Sequence, residues 1–534
     1  MNREEANGQS SWRLSSYAPR QPSHQENAEQ PEPAPPEGNA PGPPRLRRNL
    51  LLLGASWFLV QSGSLSLSQL QTSVLNPERG LGAASVGAVA AASLVSCLFL
   101  APLCVRLAGL KATLGASMLL HTPYSIANFY PHWATVLPCS FVLGIGAGPL
   151  ATAAAAYVVQ LAQRQETLLA PGAPPGATLA QYLAVFLASG QLAQAFGSLL
   201  AHLLLSESGS AAWRPGEACG ADFCPGTTAN LTVATAAPAT SRFQLCVLHA
   251  ALGWIAALLV FLLLDPLEAP VTLRAPISSP MQLLLTTARQ LRNPYQVFLV
   301  PLTVFSGLEL SFVAEDFPKA FVACSWGGRY VEPFLASLGL SGAFWAAGLG
   351  WVLPGFRAQT LLLGAVVHVG LIVLLLAYPP SHLLAILLGA ATAWGLADAA
   401  WTAHVLAFYA MAFQQSPEAA FASCHLWRSV GSLASRGYSN YVCTDTKMYI
   451  LLCALTIGVA GYFAVDTEAR RIRPQETTIL LTNQPSSSGR TPQTAPVVPA
   501  VDSVTGIPIF LPAGGTAVLL PSSQPVPTRQ HDPS

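Results

Sequence analysis

Three ionisable side chains stand inside long apolar runs: Glu309 in VFSGLELSFV, Asp398 in AWGLADAAWTAH and Arg428 in FASCHLWRSV. A charge at the centre of a bilayer costs about 2.5–3.5 kcal/mol on insertion scales, so such a residue normally faces a partner or a cavity. Each lies roughly 12 to 15 residues from the expected inner end of its helix, which at about 1.5 Å per residue is roughly 18–22 Å deep. Asp398 and Arg428 can form an ion pair at that shared level, with Glu309 competing for the same cation. Removing one partner would strand the other. Three roles for this polar network stay open: a bridge that only locks helices together, a proton or solute site, and a partner-binding site. Trp394 and Trp401 fall four residues before and three after Asp398, on one helix face. Two rings beside a carboxylate can form the aromatic face of a cavity that brackets a cationic or apolar group. Helix packing by two large rings is the plainer alternative.

The elements that position these residues are read from hydropathy. The chain has 534 residues, 52% hydrophobic and only 10% charged, against about 25% charged in soluble proteins, so lipid is its main solvent. A helix needs about 20 apolar residues to cross the hydrocarbon core, and twelve runs qualify, centred near Val60, Leu94, Leu119, Gly146, Ser189, Ala256, Ser306, Ser341, Gly370, Trp394, Ser432 and Thr456. The third, eighth and eleventh contain Gly, Pro or charges that lower their hydropathy. The expected fold is an all-α membrane protein of twelve transmembrane helices in two six-helix halves. Residues 1–48 and 466–534 are Pro- and Ser-rich tails that cannot bury a core and read as disordered. The halves are 49–265 and 295–465, joined by a linker, 266–294, in which Leu283, Leu284 and Leu291 with Arg289 and Arg292 suggest a short amphipathic helix on the inner surface.

Positive charge gathers on the inner side of membrane proteins, and Arg45, Arg47, Arg48, Arg106, Lys111, Arg470 and Arg471 fall in tails or loops that would be cytoplasmic if both termini are. The sequon Asn230-Leu231-Thr232 lies in the long outer loop 207–242, which predicts a glycoprotein with that loop outside. Cys219 and Cys224 share the loop and are expected to pair as a disulfide in an oxidising compartment; Cys324 and Cys443, also in outer loops, could form a second bridge. A formal net charge of +1 excludes nucleic acid as a partner class. No spacing argues for a metal or cofactor, and no nucleophile elbow or P-loop argues for an enzyme.

Ionisable groups at this depth are confined to the second half. The fourth run carries Gly144, Gly146 and Gly148 followed by a train of alanines, which allows close helix contact and offers a solute little to grip. The first run offers Gln61, Ser64 and Ser68 for hydrogen bonds between helices or to a polar solute. In the C-terminal tail, Glu476 with Leu480 and Leu481 fits an acidic dileucine sorting motif. That motif adds endosomal or lysosomal membranes to the plasma membrane expected for a multi-pass glycoprotein.

Six spans, a cytoplasmic linker and six spans is the arrangement of the major facilitator superfamily, and Arg106-x-x-Gly109-x-Lys111 resembles a worn form of its loop motif. More specifically the chain resembles the unc-93 family, homologue A type, a branch of that superfamily. The resemblance rests on GLG at 80–82, YSIANFY and WATVLPCSFVLGIGAGPL within 124–150, FSGLELSF from Phe305, AWGLADAAW from Ala393, PEAAFASCHLW from Pro417 and KMYILL from Lys447. Two positions depart from the family pattern. The small-residue run ATAAAAY follows Pro149-Leu150 where the family is bulkier, and Arg428 stands where homologue A proteins have an acid. The resemblance implies a regulatory or escort subunit of another integral membrane protein, a potassium channel or a receptor. The alternative from fold analogy is a secondary transporter, uniporter or symporter, of a small solute.

Overall fold

The computed structural model describes residues 42–73, 80–168, 176–205, 218–225, 239–267, 286–352, 357–377, 384–413, 417–482, 500–501 and 508–509. The Asn230 sequon, residues 1–41 of the N-terminal tail and Leu283 and Leu284 of the linker lie outside the described residues, whereas the rest of that tail, 43–48, is the start of the first helix. Among the described residues, twelve long helices carry the apolar runs. The first half holds α1 (Pro43–Ser73), α2 (Leu81–Phe99), α3 (Ala101–Leu119), α4 (Trp133–Leu168), α5 (Ala177–Leu205) and α6 (Ala239–Leu263). The second holds α7 (Pro294–Ser311), α8 (Val331–Val352), α9 (Arg357–Ala377), α10 (Leu384–Ala412), α11 (Pro417–Ser439) and α12 (Thr444–Thr482). In lipid a backbone must satisfy its own hydrogen bonds, which a helix does within one segment. Among the described residues the strands amount to one short ladder, Ala500↔Ile509 and Val501↔Pro508.

Eleven of these helices are long and apolar enough to cross a membrane. The exception among the twelve is α11, which is long enough at 23 residues but carries Glu418, His425, Arg428 and Arg436. It is packed among α2, α4, α7 and α10, which gives its polar groups protein neighbours. Proline opens α1, α7 and α11, where its missing N–H would be unsatisfied in any case. Asn293 caps α7, its Oδ1 accepting from the Tyr295 N–H at 3.0 Å. Past Ser311 the chain stays helical but widens into π turns at Phe312–Asp316 and Pro318–Ala323. Pro318 has no N–H to continue an α ladder there. The turn between the second and third spans sits at Gly109, whose φ of 80° breaks α3, a conformation that glycine adopts without strain. Thr113 Oγ1 closes that turn by donating to Cys104 O at 3.0 Å. At its far end α12 continues helical to Thr482, so the backbone of Glu476, Leu480 and Leu481 belongs to its last turns.

Connectivity puts the start of α1 and the end of α12 on one face, here the terminal face, and the start of α12 on the opposite, far face. The two halves meet along α5 and α8, and again where α11 packs on α2 and α4. Small residues permit these approaches. A Cβ at Gly339 would lie 2.5 Å from Ala195 N and 2.8 Å from Gln191 O, and one at Gly350 3.2 Å from Gln181 Cα. In α4, a Cβ at Gly146 would lie 3.1 Å from Leu120 Cβ and one at Gly148 3.0 Å from Cys97 N, while Gly144 packs on Val89 and Ala92. The alanines from Ala153 to Ala156 are almost fully buried, so α4 runs through the core.

The far face carries a correction. Cys219 does not pair with Cys224, nor Cys324 with Cys443. Cys219 is bonded to Cys324 and Cys224 to Cys443, with Cα–Cα distances of 5.6 and 4.2 Å. A 3₁₀ turn, Gly220–Asp222, separates the first two cysteines and delivers them to two different helix ends. Phe223 O between them accepts from Thr444 N at 2.9 Å and Thr444 Oγ1 at 3.0 Å, at the start of α12. On the terminal face the halves are joined by an ion pair, Arg106 Nε to Glu418 Oε1 at 2.7 Å.

Gly339→Leu should lower the melting temperature of the detergent-solubilised protein, since overpacking a close backbone contact costs about 1–3 kcal/mol. Gly348→Leu, where a Cβ meets nothing within 4 Å, is the control and should melt as wild type.

Candidate functional site

Glu309 is brought by α7 to the middle of the second half and is 1% exposed. Its Oε1 accepts from Trp394 Nε1 at 2.9 Å. His368 of α9 places Nε2 2.9 Å from the same oxygen, at ion-pair distance though off the line of a straight hydrogen bond. Trp401 Nε1 donates to His368 Nδ1 at 2.7 Å. An indole N–H can only donate, so Nδ1 accepts and the imidazole proton sits on Nε2, facing the carboxylate. Phe305 packs edge-on against both His368 and Trp401 at 5.6 Å, and Phe312 stacks on Trp394 at 5.8 Å. The second oxygen, Glu309 Oε2, has no hydrogen-bond partner among the described residues.

Trp394 and Trp401 therefore do not line an open cavity as expected. They are 1% and 0% exposed, and each spends its N–H on a neighbour within the same half. Their spacing on α10 puts the two indoles on one side of the helix. That side turns toward α7 and α9, which offer an acceptor at each level.

Asp398 shares that face of α10 but takes its hydrogen bond from the first half. Gln191 Nε2 of α5 donates to Asp398 Oδ2 at 2.5 Å, and Thr402 Oγ1 lies 3.5 Å from Oδ1. The expected ion pair with Arg428 is not formed, since neither carboxylate oxygen hydrogen-bonds the guanidinium. Arg428 acts on Asp398 only as a longer-range attraction, opposed by Glu309. The cause lies in how α11 packs. Gly307 of α7 sits against Arg428 O, and Gly431 of α11 against Val304 O and Leu308 N. Those contacts set the register of α11 against α7 and leave Gln191 as the donor in reach of Asp398. The three charges thus divide: Glu309 is held within one half, Asp398 across the divide, and Arg428 beside it without a direct bond to either.

Gln191 and His368 carry no signal in the sequence, because an amide or imidazole in an apolar run has no spacing that names its partner. The first half also holds a polar cluster not foreseen, where Ser64 Oγ lies 3.1 Å from His121 Nδ1 and 3.4 Å from His249 Nε2, and Ser125 Oγ lies 2.6 Å from His249 Nδ1. Ser64 is visible in the sequence as a polar residue of the first run; its two histidine partners come from other helices. Among the described residues no group of three or more His, Cys, Asp or Glu side chains is placed to hold a metal ion.

Comparison with known proteins decides the family. No family model matches the chain. Protein unc-93 homolog A of Xenopus laevis is 30% identical over 429 residues, covering 78% of this chain and 93% of the relative. The chain belongs to the unc-93 family. The Homo sapiens unc-93 homolog A is 30% identical over 432 residues, covering 79% and 93%. A Caenorhabditis elegans protein named "Putative potassium channel regulatory protein unc-93" is 25% identical over 436 residues, covering 79% of this chain and 61% of the relative. Among solved structures, the E. coli fucose:proton symporter FucP aligns with a TM-score of 0.54 at 13% identity, covering 79% of this chain and 99% of that one. The human organic anion transporter MFSD10 aligns with a TM-score of 0.54 at 16% identity, covering 78% and 100%. At these identities the likeness shows the fold, that of the major facilitator superfamily.

For this unc-93 family member, Gln191→Leu should cost about 1.5–3 kcal/mol, the usual worth of a hydrogen bond to a charged group, read as thermal unfolding in detergent. Adding Asp398→Leu should recover most of that loss, because the carboxylate is then no longer stranded. A double variant as unstable as the sum of the singles would show that the two groups do not interact.

Proposed function

We propose that this chain acts as a regulatory or escort subunit of another integral membrane protein, with a potassium channel as the first partner class to test and a membrane receptor as the second. The observation that carries the reading is the Gln191–Asp398 hydrogen bond across the two halves. Alternating access moves one half against the other around a solute site at their interface. Here the acid that such a site would use is held by the opposite half's own amide. Glu309, the second acid of the intramembrane network, is enclosed by Trp394 and His368 within a single half. The small residues of α4 and the close α5–α8 contact further reduce what a polar solute could grip. The Caenorhabditis elegans relative, by its name, adds the channel as a partner class.

Transport of a small solute is the competing reading. It rests on fold likeness to transporters, and a fold does not fix a function. The regulatory reading places the protein in the plasma membrane as a multi-pass glycoprotein with both termini cytoplasmic, the loop bearing Asn230 outside, and the Glu476, Leu480, Leu481 motif open to sorting toward endosomal or lysosomal membranes. It assigns no catalytic residue.

Co-expression with a panel of potassium channels should change the current or surface density of at least one, and the two proteins should co-isolate after mild solubilisation. The purified protein alone in proteoliposomes should move no solute; saturable flux of a defined solute without a partner would overturn the proposal. Asn230→Gln should abolish the glycosidase-sensitive mobility shift of the chain from cell membranes, and a shift that persists would place that loop on the other side.

A further inference from the structure

The polar cluster of the first half is unused by the links described so far. Ser64 of α1, His121 of the short helix His121–Ala127 that follows α3, and His249 of α6 bring one atom each to a common point. Ser64 Oγ lies 3.1 Å from His121 Nδ1 and 3.4 Å from His249 Nε2, and the two nitrogens are 3.4 Å apart. His121 is 5% exposed and His249 1%. Gly63 permits the approach of α6 to α1: a Cβ there would lie 3.0 Å from His249 Cδ2 and 3.2 Å from its Cα.

The surrounding hydrogen bonds turn lone pairs toward that point. The Ser64 hydroxyl donates to Val60 O at 2.9 Å, and the Ser125 hydroxyl to His121 O at 3.2 Å. Ser125 Oγ is then an acceptor for His249 Nδ1, 2.6 Å away, so the proton of that ring sits on Nδ1 and Nε2 is bare. A proton on His121 Nδ1, donated to Ser64 Oγ, fills the point while no other cation is there. His121 Nε2, which has no partner among the described residues, is where that proton goes when Nδ1 takes a metal, so the exchange releases none. A tetrahedral ion about 2.0–2.1 Å from each nitrogen sets neighbouring donor atoms roughly 3.3–3.4 Å apart, which is the spacing of the triangle. Two imidazoles on one such ion have ring centroids roughly 5 Å apart, and these stand 5.5 Å apart.

We infer that Ser64, His121 and His249 form a binding site for a single copper(I) ion, with Ser125 as a positioning residue that orients His249. Imidazole suits copper and zinc alike. The three groups are neutral, and the cost of burying an uncompensated charge rises steeply with its size, so the monovalent ion fits where the divalent one does not. Bound there, the ion ties α1, the helix after α3 and α6 to one another within the first half. Two histidines from separate helices make no spacing in the sequence, which is why no motif announces the site. The inference goes beyond the regulatory reading and does not rest on it.

The site is tested on the purified full-length protein in detergent, without oxygen, given half an equivalent of copper(I). X-ray absorption at the copper edge should show a nearest shell of nitrogen and oxygen, with the outer-shell scattering of imidazole. A sulfur shell at about 2.3 Å, the mark of capture by a free thiol, would overturn the proposal. In competition with a chromophoric copper(I) chelator, Ser125→Ala should weaken binding roughly 10–100-fold, and His121→Asn and His249→Asn should each weaken it further than that. Unchanged affinity in both histidine variants would show that the pair holds only a proton. Zinc should fail to displace the copper; displacement by equimolar zinc would overturn the choice of a monovalent ion. Should the histidine variants not fold, the spectrum of the unsubstituted protein decides by itself.

Discussion

A carboxylate removed from water must be given hydrogen bonds by the protein, and in this molecule that requirement reaches across the divide between the halves. Asp398 lies on α10, and Gln191 on α5 supplies its donor at 2.5 Å. Withdrawing the amide would leave a buried charge short of a partner, which costs several times what an exposed hydrogen bond returns. The contact therefore fixes more than two side chains. For Gln191 to reach Asp398, α5 must lie close along α8 and α8 close along α10. Both approaches depend on glycine: Gly342 packs against the Gln191 side chain, and Gly395 fits against Leu338 and Ser341.

The same logic explains why Glu309 coexists with Asp398 without sharing a cation. Each acid has its own donor, Trp394 of the same half for Glu309 and Gln191 of the first half for Asp398. The two tryptophans face α7 and α9, so the ring of Trp394 serves both as packing against Phe312 and as a donor to Glu309. His368 links the second tryptophan into the network and presents its remaining N–H toward the acid. Arg428, the natural partner by charge, is displaced by the tight α7–α11 seam at Gly307 and Gly431. In a medium without water, geometry set by backbone packing outranks attraction between charges that do not touch.

How much of the molecule is legible in its sequence depends on how local each signal is. Hydropathy is a property of one segment, so the helices can be read from the residues alone. The polar character that marks the eleventh run as uncertain is what keeps α11 below the composition of a membrane span. Partners are not legible, because which faces of two helices meet depends on register. Charge and depth point Asp398 to Arg428, whereas a glutamine carries no charge to draw notice. The cysteines mislead for a related reason. Two thiols five residues apart invite a local bridge, and the 3₁₀ turn that sends them to separate helices is visible only in three dimensions. The motifs that identify the family, by contrast, are contiguous stretches of residues and are recognisable without the fold.

One helical path joins these features. From its capped start at Asn293, the segment of α7 carries the Gly307 contact to α11 and then Glu309. It goes on to two π turns, and ends at Cys324 with its bridge to Cys219. Along the π turns, Asp316 accepts from Lys447 Nζ at 2.8 Å and Glu315 from Arg436 Nε at 2.8 Å, which tie the same segment to α12 and α11. A π turn adds a residue to a helical turn and so rotates the later turns relative to the earlier ones. Without that offset, Glu309 facing α10 and Asp316 facing α12 would be separated by seven residues of regular helix, close to two full turns and hence nearly the same face. The widened turns let one continuous segment point an acid inward at one level and toward a different neighbour at the next. The buried acid and the far-face bridge thus share a single covalent and hydrogen-bonded support, and the position of one constrains the position of the other.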